Sequence, residues 1–241
     1  MARGPTLRAF MYKMHLFDNR DALALALSAR LEQEIKRAKA LFVSGGRTPK
    51  KLFEALSHNK RIDWSTVTLA ATDERWVPSA HDASNARFIR QNLMQNAARK
   101  AHLFAYYQQD LSLEDAAHKH EARVAKLLAL KPPMVLGMGE DGHTASLFPN
   151  IDPSYLSTAQ AMLDFKAQRL LGSTEPQNAP YARLSLSAAA IAQAKPLYLH
   201  IEGSQKRKVF DAALKVQDYN TCPVAAFIQH PTLCLEVYYS P

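Results

Sequence analysis

Asp141 and His143 stand two residues apart in the stretch Gly137-Met138-Gly139-Glu140-Asp141-Gly142-His143-Thr144-Ala145-Ser146-Leu147-Phe148-Pro149. An imidazole titrates near neutral pH, so it can take up a proton and return it within one turnover. A neighbouring carboxylate fixes its tautomer and raises its basicity. A lone loop histidine is more often structural, with the aspartate merely capping its turn. Three glycines at the end of a short apolar run tip this pair toward chemistry. The chain holds only eight glycines in 241 residues, whereas average usage of about 7% predicts roughly twice that number. Five of the eight fall in two places, Gly45–Gly46 and Gly137, Gly139, Gly142. Glycine concentrated in this way marks unusual backbone geometry or close approach of another group.

Two familiar motifs nearly fit the second cluster. Gly137, Gly139 and Gly142 satisfy G-x-G-x-x-G, with Asp164 about 20 residues further on. Pro149, however, cuts any helix short, and Glu140 and Asp141 would repel a pyrophosphate. Gly137, Gly142, His143 and Thr144 match a P-loop except at the lysine that reaches the terminal phosphates. Neither a dinucleotide nor a nucleoside triphosphate is expected. No G-x-S-x-G elbow and no zinc spacing occurs. His118 and His120, two apart on a predicted helix, point in divergent directions and do not share a metal easily. Catalysis is expected to need no metal and no cofactor.

These groups must be held by alternating strands and helices. Leu23, Leu27, Leu31 and Ile35 recur every four residues within a helix predicted over 19–40. A buried strand follows at 41–43. The turn Ser44-Gly45-Gly46-Arg47-Thr48-Pro49 then opens a helix running to about residue 56, with Pro49 in its first turn. Strands are predicted at 14–17, 67–71, 134–136, 183–186, 197–201 and 233–238. Helices are predicted at 85–98, 112–130, 188–194 and 206–216, with Ser112 and Asp115 forming a capping box. Alternation of this kind predicts an α/β domain: one mostly parallel, Rossmann-like sheet with helices on both faces. No linker or repeat breaks the chain, so residues 1–241 are expected to form a single domain, with 1–12 a short basic tail. Ligands of such sheets bind beyond the carboxyl ends of the strands. The two glycine clusters and the turn Asp73-Glu74-Arg75 all follow strands directly and are expected to meet at one edge. Gly45 and Gly46 at a helix start can present N–H groups to an anion. Arg75 is a further cation there, while Asp73 and Glu74 either meet a ligand or cap the turn.

Composition narrows the class. The apolar fraction is 47% and the charged fraction 22%, ordinary for a folded domain and incompatible with disorder or collagen. No run of ~18 uncharged apolar residues spells a membrane span. Cys222 and Cys234 do not make a disulfide scaffold, and a reducing cytoplasm fits best. Thirty Lys and Arg against 22 Asp and Glu give a net charge of +8. That charge is spread along the chain, so an anionic small molecule is expected rather than nucleic acid.

Taken together, Ser44-Gly45-Gly46-x-Thr48-Pro49, Asp73-Glu74-Arg75-Trp76-Val77-Pro78, Ser84-Asn85 and the stretch 137–149 resemble the 6-phosphogluconolactonase family. Pro180-x-x-Arg183-Leu184-Ser185, Gly203-x-x-Lys206 and the region 223–231 extend the likeness over nearly the whole chain. The resemblance implies a fold related to glucosamine-6-phosphate deaminases. It also implies hydrolysis of 6-phosphogluconolactone in the oxidative pentose phosphate pathway, with His143 as the base and Asp141 orienting it. Arg183 and Lys206 fall where phosphate-contacting residues lie, and Gly45, Gly46, Arg47, Thr48, Asp73, Glu74, Arg75 and Gly139 are the other candidates for binding substrate. Deaminases of the family carry a glutamate five residues after the histidine; here that position is Phe148. Arg47 departs from the serine or small residue usual there, and either adds to anion binding or points to solvent. The partner implied is a sugar phosphate, with no membrane, bound by a monomer or small homo-oligomer. The alternatives are a deaminase and a catalytically silent sugar-phosphate sensor.

Overall fold

Asn19 ends its own strand-like backbone and accepts a hydrogen bond from the Ala22 amide, which starts helix α1 (Arg20–Ala38). Leu23, Leu27, Leu31 and Ile35 are fully buried along one face, each contributing about 1.5–3 kcal/mol of burial. The computed structural model describes residues 12–149, 161–176 and 179–241. In chain order its strands are β1 (Tyr12–Leu16), β2 (Ala40–Val43), β3 (Thr68–Ala71), β4 (Asp73–Arg75), β5 (His102–Phe104), β6 (Met134–Leu136), β7 (Leu171–Thr174), β8 (Arg183–Leu186), β9 (Leu197–Glu202) and β10 (Leu235–Ser240). The helices after α1 are α2 (Lys50–Ser57), α3 (Asn85–Asn92), α4 (Leu113–Ala129), α5 (Ala188–Ile191), α6 (Ser204–Ala213) and α7 (Val224–Ile228).

Seven strands form one parallel sheet in the order β1-β10-β9-β6-β2-β3-β5. Every residue of β2 and β6 is buried, as expected of a parallel sheet covered on both faces. The chain builds outward from β2 through β3 to β5, then returns to lay β6, β9 and β10 on the other side. The strand order therefore reverses between β2 and β6, and a crevice opens beyond their carboxyl ends.

Three strands leave this sheet. β4, β8 and β7 pair antiparallel in a separate small sheet. This corrects the expected turn at Asp73-Glu74-Arg75 and the placing of 183–186 in the main sheet. Only Thr72 separates β3 from β4, and a parallel partner needs a crossover of a dozen or more residues. Thr72 joins the two sheets: its N–H donates to the Val43 carbonyl (3.0 Å), and its own carbonyl accepts from Leu186 (2.9 Å).

Other boundaries move modestly. The helix expected over 85–98 stops at Asn92 and resumes as a 3₁₀ turn at Asn96–Lys100. Of the expected capping box the N-cap half is present: Ser112 Oγ accepts from the Asp115 amide at 3.1 Å, while the Asp115 carboxylate accepts from the Ser112 hydroxyl at 2.6 Å instead of from its backbone N–H. His118 and His120 diverge: His118 is exposed beside Arg169, whereas His120 is buried against the Tyr106 carbonyl. The expected basic tail lies outside the described residues, apart from Tyr12, which begins β1. Among the described residues no helix is long and apolar enough to cross a membrane. Both cysteines are free thiols.

Candidate active site

The segment after β6 does not open a helix. It winds through turns and a short bridge between Thr144 and Leu147. The Gly139 amide donates to the His143 carbonyl (2.9 Å) and the Gly142 amide to the Gly139 carbonyl (3.2 Å), so residues 139–143 close on themselves. Inside that loop Asp141 Oδ1 lies 2.6 Å from His143 Nδ1 and also accepts the His143 amide at 3.1 Å. A carboxylate only accepts, so Nδ1 carries the proton and Nε2 keeps a lone pair. Burial pushes the Asp141 carboxyl up, but the bonds from His143 and its charge outweigh this and leave it below the usual carboxylate range. Gly139 is required by contact: a Cβ there would collide with the His143 ring and the Asp141 carboxylate. The imidazole packs on Phe148, ring centres 4.7 Å apart.

The loop is pinned from outside. Ser146 Oγ donates to Asp73 Oδ2 at 2.6 Å, and the Ser146 amide donates to Ser185 Oγ at 3.1 Å. Both partners belong to the small antiparallel sheet, so that sheet braces the loop that carries Asp141 and His143. The Val224 amide, opening α7, donates to the Gly142 carbonyl at 3.0 Å.

Facing His143 across the crevice is the turn after β2. Gly46 has φ +88°, with no atom within 4 Å of where a Cβ would stand. Helix α2 begins behind Pro49 without a side-chain cap, so its first amides are not spent on one. Lys206, near the start of α6, donates from Nζ to Thr48 Oγ1 at 2.9 Å. Burial draws its pKa down, the carboxylates of Glu202 and Glu140 push it up, and the Arg47 guanidinium pushes it down again.

The resulting cleft encloses about 220 Å³ and is lined by Gly45, Gly46, Arg47, Thr48, Asp73, Arg75, Gly139, His143 and Lys206 among others. That is below the ~300–1,000 Å³ of pockets for drug-sized ligands and suits one small polar molecule. Nine expected residues are thus brought together. Asp141 is not on the cleft wall and is bonded to His143, which is. Glu74 and Arg183 do not line the cleft. Glu74 is 1% exposed and spends both oxygens on the start of α3, accepting from the amides of Asn85 (2.6 Å) and Ala86 (2.8 Å), from Ser84 Oγ and from the Arg75 amide. Capping, the alternative to ligand contact, accounts for it. Burial still raises its pKa against those bonds. Arg183 lies opposite Arg75 in the β4–β8 register, buried, with Nη1 lacking a partner; burial and then the Arg75 charge lower its pKa.

Ser44, Asn85 and Met138, which entered only as motif residues, and His200, which did not enter at all, were not among the expected site residues, yet all four line the cleft. Asn85 is the hub: its Oδ1 accepts from Arg75 Nη1 (2.7 Å) and its Nδ2 donates to the Asp73 carbonyl (2.7 Å). Its place directly after a helix-capping serine was the available signal.

Residues 18–235 match the family of glucosamine-6-phosphate isomerases and 6-phosphogluconolactonase. The chain belongs to that family. It is 41% identical over 211 residues to a 6-phosphogluconolactonase of Pseudomonas aeruginosa, covering 87% of this chain and 86% of that one. It is 38% identical over 234 residues to one of Rhizobium meliloti, covering 95% and 98%. The crystal structure of a 6-phosphogluconolactonase from Shewanella baltica superposes with a TM-score of 0.85 at 33% identity, covering 97% of this chain and all of that one.

Proposed function

We propose that this protein is a 6-phosphogluconolactonase, hydrolysing 6-phospho-D-glucono-1,5-lactone to 6-phospho-D-gluconate in the second step of the oxidative pentose phosphate pathway. The observation that carries this reading is the Asp141–His143 pair at 2.6 Å on a small cleft otherwise rich in cations. Phe148 against the imidazole favours the lactonase over the deaminase, whose glutamate would occupy that position.

A δ-lactone is an activated ester. His143 Nε2 takes a proton from water as the water oxygen bonds to C1. The carbonyl electrons move onto the exocyclic carbonyl oxygen of C1, and Arg75 on the cleft wall supplies positive potential there. The intermediate then collapses, the bond from C1 to the ring oxygen breaks, and His143 returns the proton to that oxygen. Asp141 holds Nδ1–H throughout, which keeps Nε2 basic and aimed. The phosphate rests against Lys206, Arg47, Thr48 and the amides of Gly45 and Gly46. Arg183, buried opposite Arg75, adds positive charge beside it, and Asp73 holds the catalytic loop through Ser146. The partner is a free sugar phosphate rather than nucleic acid, and residues 1–241 act as one domain in the cytoplasm, as a monomer or small homo-oligomer.

The test is a coupled assay with freshly generated 6-phosphogluconolactone, corrected for spontaneous hydrolysis. Turnover above the spontaneous rate is expected, with no ammonia released from glucosamine 6-phosphate. Ammonia release without lactone hydrolysis would overturn the assignment.

A further inference from the structure

His200 is a histidine in an otherwise apolar run, Leu197-Tyr198-Leu199-His200-Ile201, on a central strand. β9 runs beside β6 with Leu199 opposite Leu136, so residue 200 lies level with the start of the catalytic loop. The side chain is 1% exposed and lines the cleft.

Its two nitrogens are treated differently. Nε2 lies 3.0 Å from Glu202 Oε1, two residues on and on the same face of the strand. Glu202 is itself held, its Oε2 3.3 Å from Arg20 Nε. Because that carboxylate can only accept, the neutral ring carries its hydrogen on Nε2, and Nδ1 is left as an acceptor. Nδ1 is buried and, among the described residues, has no hydrogen-bond partner. Buried polar atoms without partners are rare in folded proteins, and at this position a leucine would have packed without that penalty.

We propose that His200 is a specificity-determining residue whose Nδ1 accepts a hydrogen bond from a hydroxyl of the bound sugar, with Glu202 as its positioning partner. This rests on the sugar-phosphate reading of the cleft. The neighbouring groups on this wall, Lys206, Thr48 and Arg47, supply donors suited to a phosphate. An acceptor among them is of no use to an anion and suits an O–H group. Glu202 keeps the ring from flipping to the tautomer that would present a donor instead.

The experiment compares a ligand that has hydroxyls with one that has none. Inhibition constants for 6-phosphogluconate and for inorganic phosphate are measured on the wild type, His200→Leu, His200→Asn and Lys206→Ala. His200→Leu is expected to weaken 6-phosphogluconate about 3- to 30-fold, the effect of losing one hydrogen bond to a buried group. It should leave inorganic phosphate unchanged and raise KM for the lactone with little loss of kcat. His200→Asn, which keeps an oxygen near the place of Nδ1, should recover most of the affinity. Lys206→Ala should weaken both ligands. Equal weakening of both ligands by His200→Leu would overturn the proposal, as would no weakening of either, or an asparagine variant as defective as the leucine one. If the leucine variant does not fold, the imidazole ¹⁵N resonance of Nδ1 in the wild-type protein decides: it should shift on adding 6-phosphogluconate, and an unmoved resonance would refute the contact. A wild type without lactone turnover defeats the functional assignment. Wild-type turnover with an indifferent His200 defeats this inference alone.

Discussion

The two glycine-rich turns that face each other across the cleft are built in opposite ways. In the turn after β6, glycine makes room for the protein's own groups: the space a Cβ would need at Gly139 is filled by His143 and Asp141. In the turn after β2, Gly45 likewise makes room for Asn85, but the space beside Gly46 is open, and the nearby cations Arg47 and Lys206 border the cleft. One turn is closed around the Asp141–His143 pair, while the other packs Gly45 against Asn85 and is open only beside Gly46. Chemistry needs a geometry fixed before the substrate arrives, whereas an anion site needs donors with nothing yet in front of them.

This contrast can be broken experimentally. His143→Ala should lower kcat by about 10²–10⁴ while the fold persists; wild-type turnover in the folded variant would remove the acid–base role from the β6 turn. Gly139→Ala should come next. Its methyl group displaces the imidazole from Asp141, and a misplacement of ~1 Å costs on the order of 10²-fold in kcat. Gly46→Ala is the matched comparison: it should cost about 1–2 kcal/mol of stability from its left-handed backbone and, with its methyl group on the phosphate side of the cleft, raise KM while lowering kcat far less than Gly139→Ala. Equal kcat losses in the two alanine variants would erase the distinction. Lys206→Ala should raise KM for the phosphorylated lactone roughly 10- to 100-fold, the weight of one charge-assisted bond, and leave an unphosphorylated lactone unaffected. A similar rise on both substrates would take Lys206 off the phosphate.

The smallest effect lies far from both turns. Glu32 is 5% exposed, and hydrogen bonds from Lys36, then Asn59 and Arg61, outweigh burial and hold its pKa at about 2 against an ordinary 4.5. The folded protein therefore binds fewer protons at this site than the unfolded chain, so its stabilising contribution is complete above the ordinary value and is lost as pH falls toward about 2. Melting curves of Glu32→Gln should show a shallower loss of stability between about pH 5 and pH 2 than the wild type, with activity untouched. Parallel curves would show that the cluster carries no acid sensitivity.

Much of this arrangement was legible in the chain. The four-residue spacing of Leu23, Leu27, Leu31 and Ile35 marked the α1 face because helical periodicity is local. The strand–turn–helix sense of residues 41–56 and the Asp141–His143 pairing were legible for the same reason. The small sheet was not, because β4 pairs with β8 across more than a hundred residues, and three polar residues in a row read equally well as a turn. Arg183 was read as a ligand contact through the family resemblance alone, since an isolated arginine at a strand start reads as a solvated charge; the β4–β8 register places it opposite Arg75, where it is buried. His200 passed unremarked because one polar residue inside an apolar strand carries no sign of which nitrogen is left unpaired.

Residue order alone determined the helical faces, the strand ends and the chemical types placed on the two turns, since each depends on contacts within a few residues. Folding decided which strand ends became neighbours, which carboxylates were consumed as caps or braces, and which buried nitrogen was left without a partner. Those outcomes depend on long-range pairing and on the removal of water, and neither is written in any short stretch of sequence.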